Sequence, residues 1–468
     1  METKNRYGRV TGEVITQLTE IVGKRNVLTG AKRENYAWDE TPHARPVVPE
    51  VVVKPTSTGE VARILKLASE RNIPVTPRGG GTGLSGGAVP VYRGIVLSLK
   101  KMNKILEIDE DNFVVTVEPG VTLADLYHAV EDCDFYYPLY PGEKSATIGG
   151  NVATNAGGMM AVKYGVTRHF VLGLEAVLPT GEVIQTGGKF VKCSTGYDLT
   201  QLIVGSEGTL AVVTRIMLKL VNPPGRREIL FVPFHSLKDA IGAVPDVLKE
   251  KILPVGIEFM ERDIINMVEQ YTGKEIYLHD YEAFLMMIVE ADNDDDIYSI
   301  SGHIGEICLE HGAVDVFIPG SERAKRNLLE AREKFYSVCG HYGLLDLADV
   351  VVPRSQIAEF VGRVREISDG YGLPVVIYGH AGDGNVHLHP LRSGSAEDKS
   401  KAKELFKKIY QLGISLGGTV SGEHGLGLAK KDYFSAVTDE PKLALMKRLK
   451  KAFDPNNIMN PGKVIDPE

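Results

Sequence analysis

The sequence predicts an α+β protein with a glycine-rich first part and a histidine-bearing second part. Three observations carry this. The first 80 residues alternate helical spacing with short apolar strands. Residues 95–222 are strand-rich with glycine turns, and residues 226–420 alternate strands with amphipathic helices. At 468 residues, and about 150 residues per domain, the chain has room for roughly three units, or two large ones.

The elements follow in order. Val14, Ile15, Leu18, Ile21 and Val22 recur at helical spacing, and Gly23 is placed as a stop. Val51-Val52-Val53 is a short buried strand. Ser57-Thr58-Gly59-Glu60 is a capping box that opens a helix through Val61, Ile64, Leu65 and Ala68. Ile73-Pro74-Val75-Thr76 is the next strand, giving a βαβ-like start. Segments 94–99, 113–117 and 209–214 are further strands. Asn222-Pro223-Pro224-Gly225 is a strong breaker. It marks the first boundary of the expected division into 1–222, 223–420 and a C-terminal segment 421–468 that packs back on the first part. Segments 229–232 and 283–289 are strands of an antiparallel sheet in the second part. The tail 453–463 is rich in turn formers yet carries little charge, so it is expected to be docked. The chain has no internal repeat and no low-complexity tract.

Composition narrows the function. A net charge of −8 argues against a general nucleic-acid or anionic-membrane binder. No apolar run reaches the ~18 residues of a membrane span, and Met1 to Arg6 lead into no apolar leader core. Cys133, Cys193, Cys308 and Cys339 form no CxxC pair, which argues against an iron–sulfur cluster or zinc ribbon and fits a reducing cytoplasm. Glycine is the outlier, with 50 residues where about 7% of a chain is usual.

The glycines cluster. Pro77-Arg78-Gly79-Gly80-Gly81-Thr82-Gly83-Leu84-Ser85-Gly86-Gly87 lets a backbone turn its N–H groups toward an anion, with Arg78, Thr82 and Ser85 as further donors. It contains G-x-G-x-x-G, but Val89-Pro90-Val91-Tyr92 follows and reads as extended, whereas a nicotinamide fingerprint opens a helix. A second cluster runs from Pro141-Gly142 through Thr147-Ile148-Gly149-Gly150-Asn151 and Thr154-Asn155 to Gly157-Gly158. It suits close backbone approach to a flat, hydrogen-bonding cofactor. The third is Gly205-Ser206-Glu207-Gly208-Thr209-Leu210. No Walker A sequence is present, which counts against an ATPase.

In this order the three clusters resemble the flavin domain of the vanillyl-alcohol oxidase / p-cresol methylhydroxylase class. Val52-Val53-Lys54-Pro55 and Val117-Glu118-Pro119-Gly120-Val121 match it too. The resemblance implies an FAD whose pyrophosphate lies on loop 78–87 and whose isoalloxazine and ribityl chain lie along 141–158. It adds Pro119, Gly165, Glu207, Gly208, Val213 and Asn460 to the expected cofactor contacts. Some members attach FAD through histidine or cysteine. Neither occurs in 78–88, so non-covalent FAD is expected.

The second signature is histidine. The chain has 12, and four fall between positions 380 and 424. They lie in Gly379-His380-Ala381-Gly382-Asp383-Gly384-Asn385-Val386-His387-Leu388-His389 and in Ser421-Gly422-Glu423-His424-Gly425. His387 and His389 share one face of a strand, and His380 and Glu423 can join them. Two imidazoles and a carboxylate leave positions open on a divalent metal such as zinc, iron or manganese.

These patches resemble, over nearly the whole chain, the family of FAD-binding D-lactate dehydrogenases, glycolate oxidases and D-2-hydroxyglutarate dehydrogenases. The pattern looks closest to the soluble bacterial lactate dehydrogenases that work beside an electron-transfer flavoprotein. The resemblance implies that His380, His387 and Glu423 are metal ligands and that His424 is the general base. Asn385 and His389 then contact the metal surroundings or the substrate, and Arg332 binds the substrate carboxylate. His389 stands where asparagine is common in the hydroxyglutarate enzymes. Leu347 stands near the position of a lysine in relatives that take dicarboxylates, which favours a small acid such as D-lactate or glycolate. The implied reaction is oxidation of a D-2-hydroxy acid, with hydride passing to flavin N5. Electrons then leave to a redox partner such as an electron-transfer flavoprotein, coupled in some anaerobes to NAD and ferredoxin by bifurcation. A homo-oligomer is compatible with this reading. The competing readings are an alkyl-dihydroxyacetone-phosphate synthase-like FAD lyase and a non-catalytic FAD-binding component of a larger oxidase, which would be expected to lose the histidine patches.

Overall fold

The computed structural model describes residues 6–42, 44–274, 280–392 and 395–467. Its first sheet holds β1 (Val27–Leu28), β2 (Val51–Val53), β3 (Val75–Arg78) and β4 (Ile95–Ser98) in the order β1-β2-β4-β3. The pairs β2–β4 and β3–β4 are parallel, so the chain must cross over between them. The helix Thr58–Glu70 makes the first crossover and buries Val61, Ile64, Leu65 and Ala68. Ser57 Oγ caps it by accepting from Glu60 N at 3.3 Å. The return half of the expected capping box is shifted by one residue: the Glu60 carboxylate accepts from Thr56 N at 2.6 Å. The helix Gly12–Val22 ends at Gly23, whose φ of +80° a residue with a side chain rarely adopts.

The second sheet is antiparallel. It holds β5 (Ile105–Asp109), β6 (Val114–Val117), β7 (Val171–Val177), β8 (Val183–Gly187) and β9 (Val212–Lys219) in the order β5-β6-β9-β7-β8. Two sequence expectations shift here. Residues 89–92 are not extended: Arg93 N donates to Pro90 O at 2.8 Å, closing a turn. The strand expected at 209–214 starts only at Val212, because Thr209 N and Oγ1 both donate to Ser206 O in a turn.

The third sheet holds β10 (Arg226–Phe234), β11 (Gly256–Glu261), β12 (Ala283–Ala291), β13 (Ala348–Val351), β14 (Val375–His380) and β15 (Asn385–Pro390). The order is β10-β12-β11-β14-β15-β13 and every pair is antiparallel. One face carries Ile257, Phe259, Ile377, Val386 and Leu388, in one apolar core with the buried residues of helices Leu237–Lys249, Asp294–Glu310, Ile357–Tyr371 and Ala396–Ser415. Because side chains alternate along a strand, Glu258, Tyr378, His380, His387, His389 and Asp349 all fall on the other face. Register then sets them in rows. Glu258 lies opposite His380, and Tyr378 lies opposite His387, which lies opposite Asp349.

The tail is docked as expected. Ile458 and Met459 are fully buried, Val75 N donates to Ile458 O, and Asn460 N donates to Val75 O, so the tail runs beside β3. No helix among the described residues is long and apolar enough to cross a membrane. The four thiols are free. Burial pushes Cys308 and Cys339 up to about 12, whereas Cys193 is exposed. A thiol reagent at pH 8 is therefore expected to modify Cys193 in the native protein and to reach Cys308 and Cys339 only after denaturation. Rapid native labelling of either buried thiol would contradict this packing.

Candidate active site

The glycine clusters converge. Residues 77–83, Ser85, Gly87, Pro119, Pro141, Thr147, Gly149, Gly150, Asn151, Thr154, Glu207, Gly208 and Val213 line one cleft. Asp39, Leu99, Gly157, Ser206 and Ala211 join them, though they lie at or beyond the edges of the motifs. Seven of the expected contacts do not line it. Gly86 donates its N–H to Thr41 Oγ1, and Ile148 is buried in the core behind the cleft. Asn155 closes the helix Ile148–Thr154, and its Oδ1 accepts from Arg168 N at 2.9 Å. Gly142, Gly158 and Gly165 have positive φ, at 82°, 141° and 81°. Asn460 braces the cleft from behind, donating from Nδ2 to Gly87 O at 2.8 Å and Glu207 O at 2.9 Å.

This cleft fits a flavin nucleotide. A Cβ on Gly79 would stand 2.2 Å from Thr147 Oγ1, and one on Gly149 would stand 2.5 Å from Pro119 Cβ, so side chains there would force the walls apart. Arg78 lies against Gly81, is held by Trp38 O at 2.6 Å and brings a positive charge to the loop. Asn151 Nδ2 is buried in the cleft wall without a hydrogen-bond partner, a donor that a bound ligand can satisfy.

The histidine patches converge as well. His380 Nε2 and His387 Nε2 are 3.2 Å apart, and Glu423 Oε1 lies 3.6 Å and 3.4 Å from them. Metal–nitrogen bonds of about 2 Å set neighbouring ligand nitrogens roughly 3 Å apart, so this trio fits one divalent ion. His424 stacks on His387 with ring centroids 5.4 Å apart, and its Nδ1 lies 3.7 Å from Asp349 Oδ1. Asn385 is buried, with Nδ2 donating to Val350 O at 3.3 Å. His389 stacks on Tyr378 at 5.0 Å, and neither of its ring nitrogens has a partner.

Three buried carboxylates organise this site; of these only Glu207 is among the residues expected from the sequence, as a cofactor contact. Glu258 Oε1 sits 2.6 Å from His380 Nδ1, which leaves Nε2 facing His387 and Glu423. Its Oε2 accepts from Arg332 Nε at 2.8 Å and lies 2.6 Å from Nη2, which makes no hydrogen bond. Arg332 is thus a buried residue, lying 4.8 Å over the Tyr378 ring, and not part of a solvated helix face. Asp349 accepts backbone N–H groups from Gly422, Glu423 and His424 at 3.0, 2.9 and 2.9 Å and also takes the Lys430 ammonium. Glu207 accepts from Leu426 N at 2.7 Å and Gly427 N at 2.8 Å.

The electrostatics follow. Burial disfavours charge on every imidazole here. For His380 the Glu258 and Glu423 carboxylates outweigh burial and hold it well above its ordinary value. Burial and the neighbouring His380 hold His387 well below it. Burial lowers His424 despite the Asp349 carboxylate, leaving a neutral ring. Burial raises Asp349, yet Lys430, His424 and the backbone donors bring it down to about 2.

The two clefts are one. Glu423 and His424 line the glycine cleft while belonging to the histidine cluster. A nucleotide-sized cleft opening on an imidazole–carboxylate cluster, over three sheets in this order, defines a flavoprotein fold. Among solved structures, p-cresol methylhydroxylase superposes with a TM-score of 0.82 at 20% identity, covering 97% of this chain and 96% of that one. A family model described as "FAD linked oxidases, C-terminal domain" matches residues 223–464, and one described as "FAD binding domain" matches 49–187. The chain belongs to the FAD-linked oxidase family, an FAD-dependent oxidoreductase. A D-lactate dehydrogenase of Archaeoglobus fulgidus is 42% identical over 433 residues, covering 92% of this chain and 95% of that protein. Glycolate oxidase subunit GlcD of Bacillus subtilis is 39% identical over 461 residues, covering 97% of each.

Proposed function

We propose that the protein oxidises a D-2-hydroxy acid, foremost D-lactate, to the 2-oxo acid, and passes the electrons to a redox partner such as an electron-transfer flavoprotein. The observation that carries this is the shared dipeptide Glu423–His424, which faces the glycine cleft and the histidine cluster together. The similar proteins named for D-lactate and for glycolate support the substrate class.

The residues divide the work. When bound, non-covalently in loop 78–87, FAD supplies the two-electron acceptor for the Cα hydride. A divalent ion of the zinc, iron or manganese type on His380, His387 and Glu423 would supply Lewis acidity beside the substrate oxygens. His424 is kept neutral by burial, so its Nε2 takes the hydroxyl proton, and Asp349 beside Nδ1 steadies the resulting cation. Arg332 holds a planar guanidinium over Tyr378 to pair with the substrate carboxylate. Asn385 and His389 complete the buried wall. Hydride and proton together account for the two electrons and two protons lost by the alcohol.

The test is product formation. With D-lactate and a dye acceptor, pyruvate should appear in equal amount to reduced dye, and chelation should abolish turnover until a divalent metal is restored. Turnover without dye reduction would favour the lyase instead. Glu258→Gln weakens the carboxylate that orients His380, so metal affinity is expected to fall about 10- to 100-fold. Unchanged metal binding in a calorimetric titration would remove Glu258 from that role.

A further inference from the structure

The segment 422–427 is slung between two buried carboxylates, one from each part of the molecule. Asp349, on the third sheet, takes the N–H groups of Gly422, Glu423 and His424. Glu207, in the third glycine cluster, takes those of Leu426 and Gly427. Of six consecutive residues, only Gly425 gives its N–H to neither acid. Glu207 is also a junction for the flavin cleft. Its own N–H donates to Ala153 O at 2.7 Å on the cleft-lining helix, and its carbonyl is held by Asn460, which also holds Gly87 O. Residue 207 keeps this place at φ +51°, a conformation that side-chain-bearing residues rarely adopt. Ser85 adds a second tie from the glycine loop, its Oγ lying 2.9 Å from both His424 O and Gly425 O.

From this geometry we infer that Glu207 is a positioning residue. It fixes His424 and Glu423 against the flavin cleft, so that filling the cleft orders the base and the metal ligand together. The inference rests on the proposed role of His424 and extends it to a residue that touches neither substrate nor metal. Fixed placement matters because a misplacement of about 1 Å can cost of order a hundredfold in rate. An amide at 207 would keep the size of the side chain but present a donor to one of the two backbone N–H groups.

The holoenzyme carrying Glu207→Gln is compared with wild type using D-lactate and a dye acceptor. With FAD kept saturating, the expected result is a loss of at least tenfold in kcat, with KM within twofold of wild type, and partial recovery in Glu207→Asp. Wild-type kcat, or a KM that rises in proportion, would overturn the inference. A second measurement needs no turnover. Amide hydrogen exchange of 421–429 in wild type should speed at least tenfold when FAD is removed, and exchange that ignores FAD would overturn the coupling. His424→Ala run in parallel separates the two ideas. If it keeps full kcat, the base assignment fails, while the exchange experiment still decides the coupling.

Discussion

His424→Ala is expected to purify with its flavin and to lose about a thousandfold in kcat, within the 10²–10⁴ that a positioned general base contributes. The flavin should stay because the cofactor cleft is built mainly from the glycine clusters, with His424 one of many lining residues. Turnover should fall because no other described neutral imidazole stands in its place. His380 and His387 face each other 3.2 Å apart, and His389 is stacked under Tyr378. The structure at the turn should also survive, since Asp349 grips the backbone N–H of residue 424 and not its ring alone. Stopped-flow reduction of the flavin under anaerobic conditions reads the effect directly. A wild-type reduction rate in this variant would assign the proton to another group.

Arg332→Ala is expected to destabilise the fold by about 3 kcal/mol, because removing one partner of a buried ion pair strands the other. The stranded group is Glu258, fully buried, with His380 as its remaining partner. The change also removes the cation from the Tyr378 and Phe335 rings, at 4.8 and 5.2 Å. KM for the hydroxy acid should rise together with the loss of stability, since the guanidinium is the cation proposed for the carboxylate. Arg332→Lys restores charge but not the planar fork, so it should recover part of the stability and little of the KM. Urea melts and steady-state kinetics on the same preparations check both effects. An unchanged midpoint with an unchanged KM would remove Arg332 from both roles.

These outcomes mark what the sequence could carry. The glycine clusters and the histidine patches were legible because they concentrate rare residue types at short spacing, and density survives without coordinates. The histidine face was legible because His387 and His389 are two apart on a strand. The roles of Glu258 and Asp349 were not legible, because each depends on register between distant segments, and Glu207 was legible as a cofactor contact but not as the acceptor for Leu426 and Gly427 N–H. Glu258 meets His380 only through the pairing of β11 with β14, and Asp349 meets His387 only through β13 and β15. One signal was present for Glu258. It is a lone acid in Gly256-Ile257-Glu258-Phe259-Met260, and an acid inside an apolar strand is rarely buried without a partner. The turn at 89–92 was missed because Val-Pro-Val-Tyr has strand composition, while Arg93 and Gly94 adopt left-handed conformations that bend the chain into β4.

The most direct measurement of the central claim is the visible spectrum of the purified protein, recorded anaerobically before and after D-lactate, with L-lactate as the control. The account predicts a bound-flavin spectrum that bleaches with D-lactate and stays oxidised with L-lactate. A flavin spectrum that no 2-hydroxy acid bleaches would contradict the proposed reaction and leave only the flavoprotein fold standing.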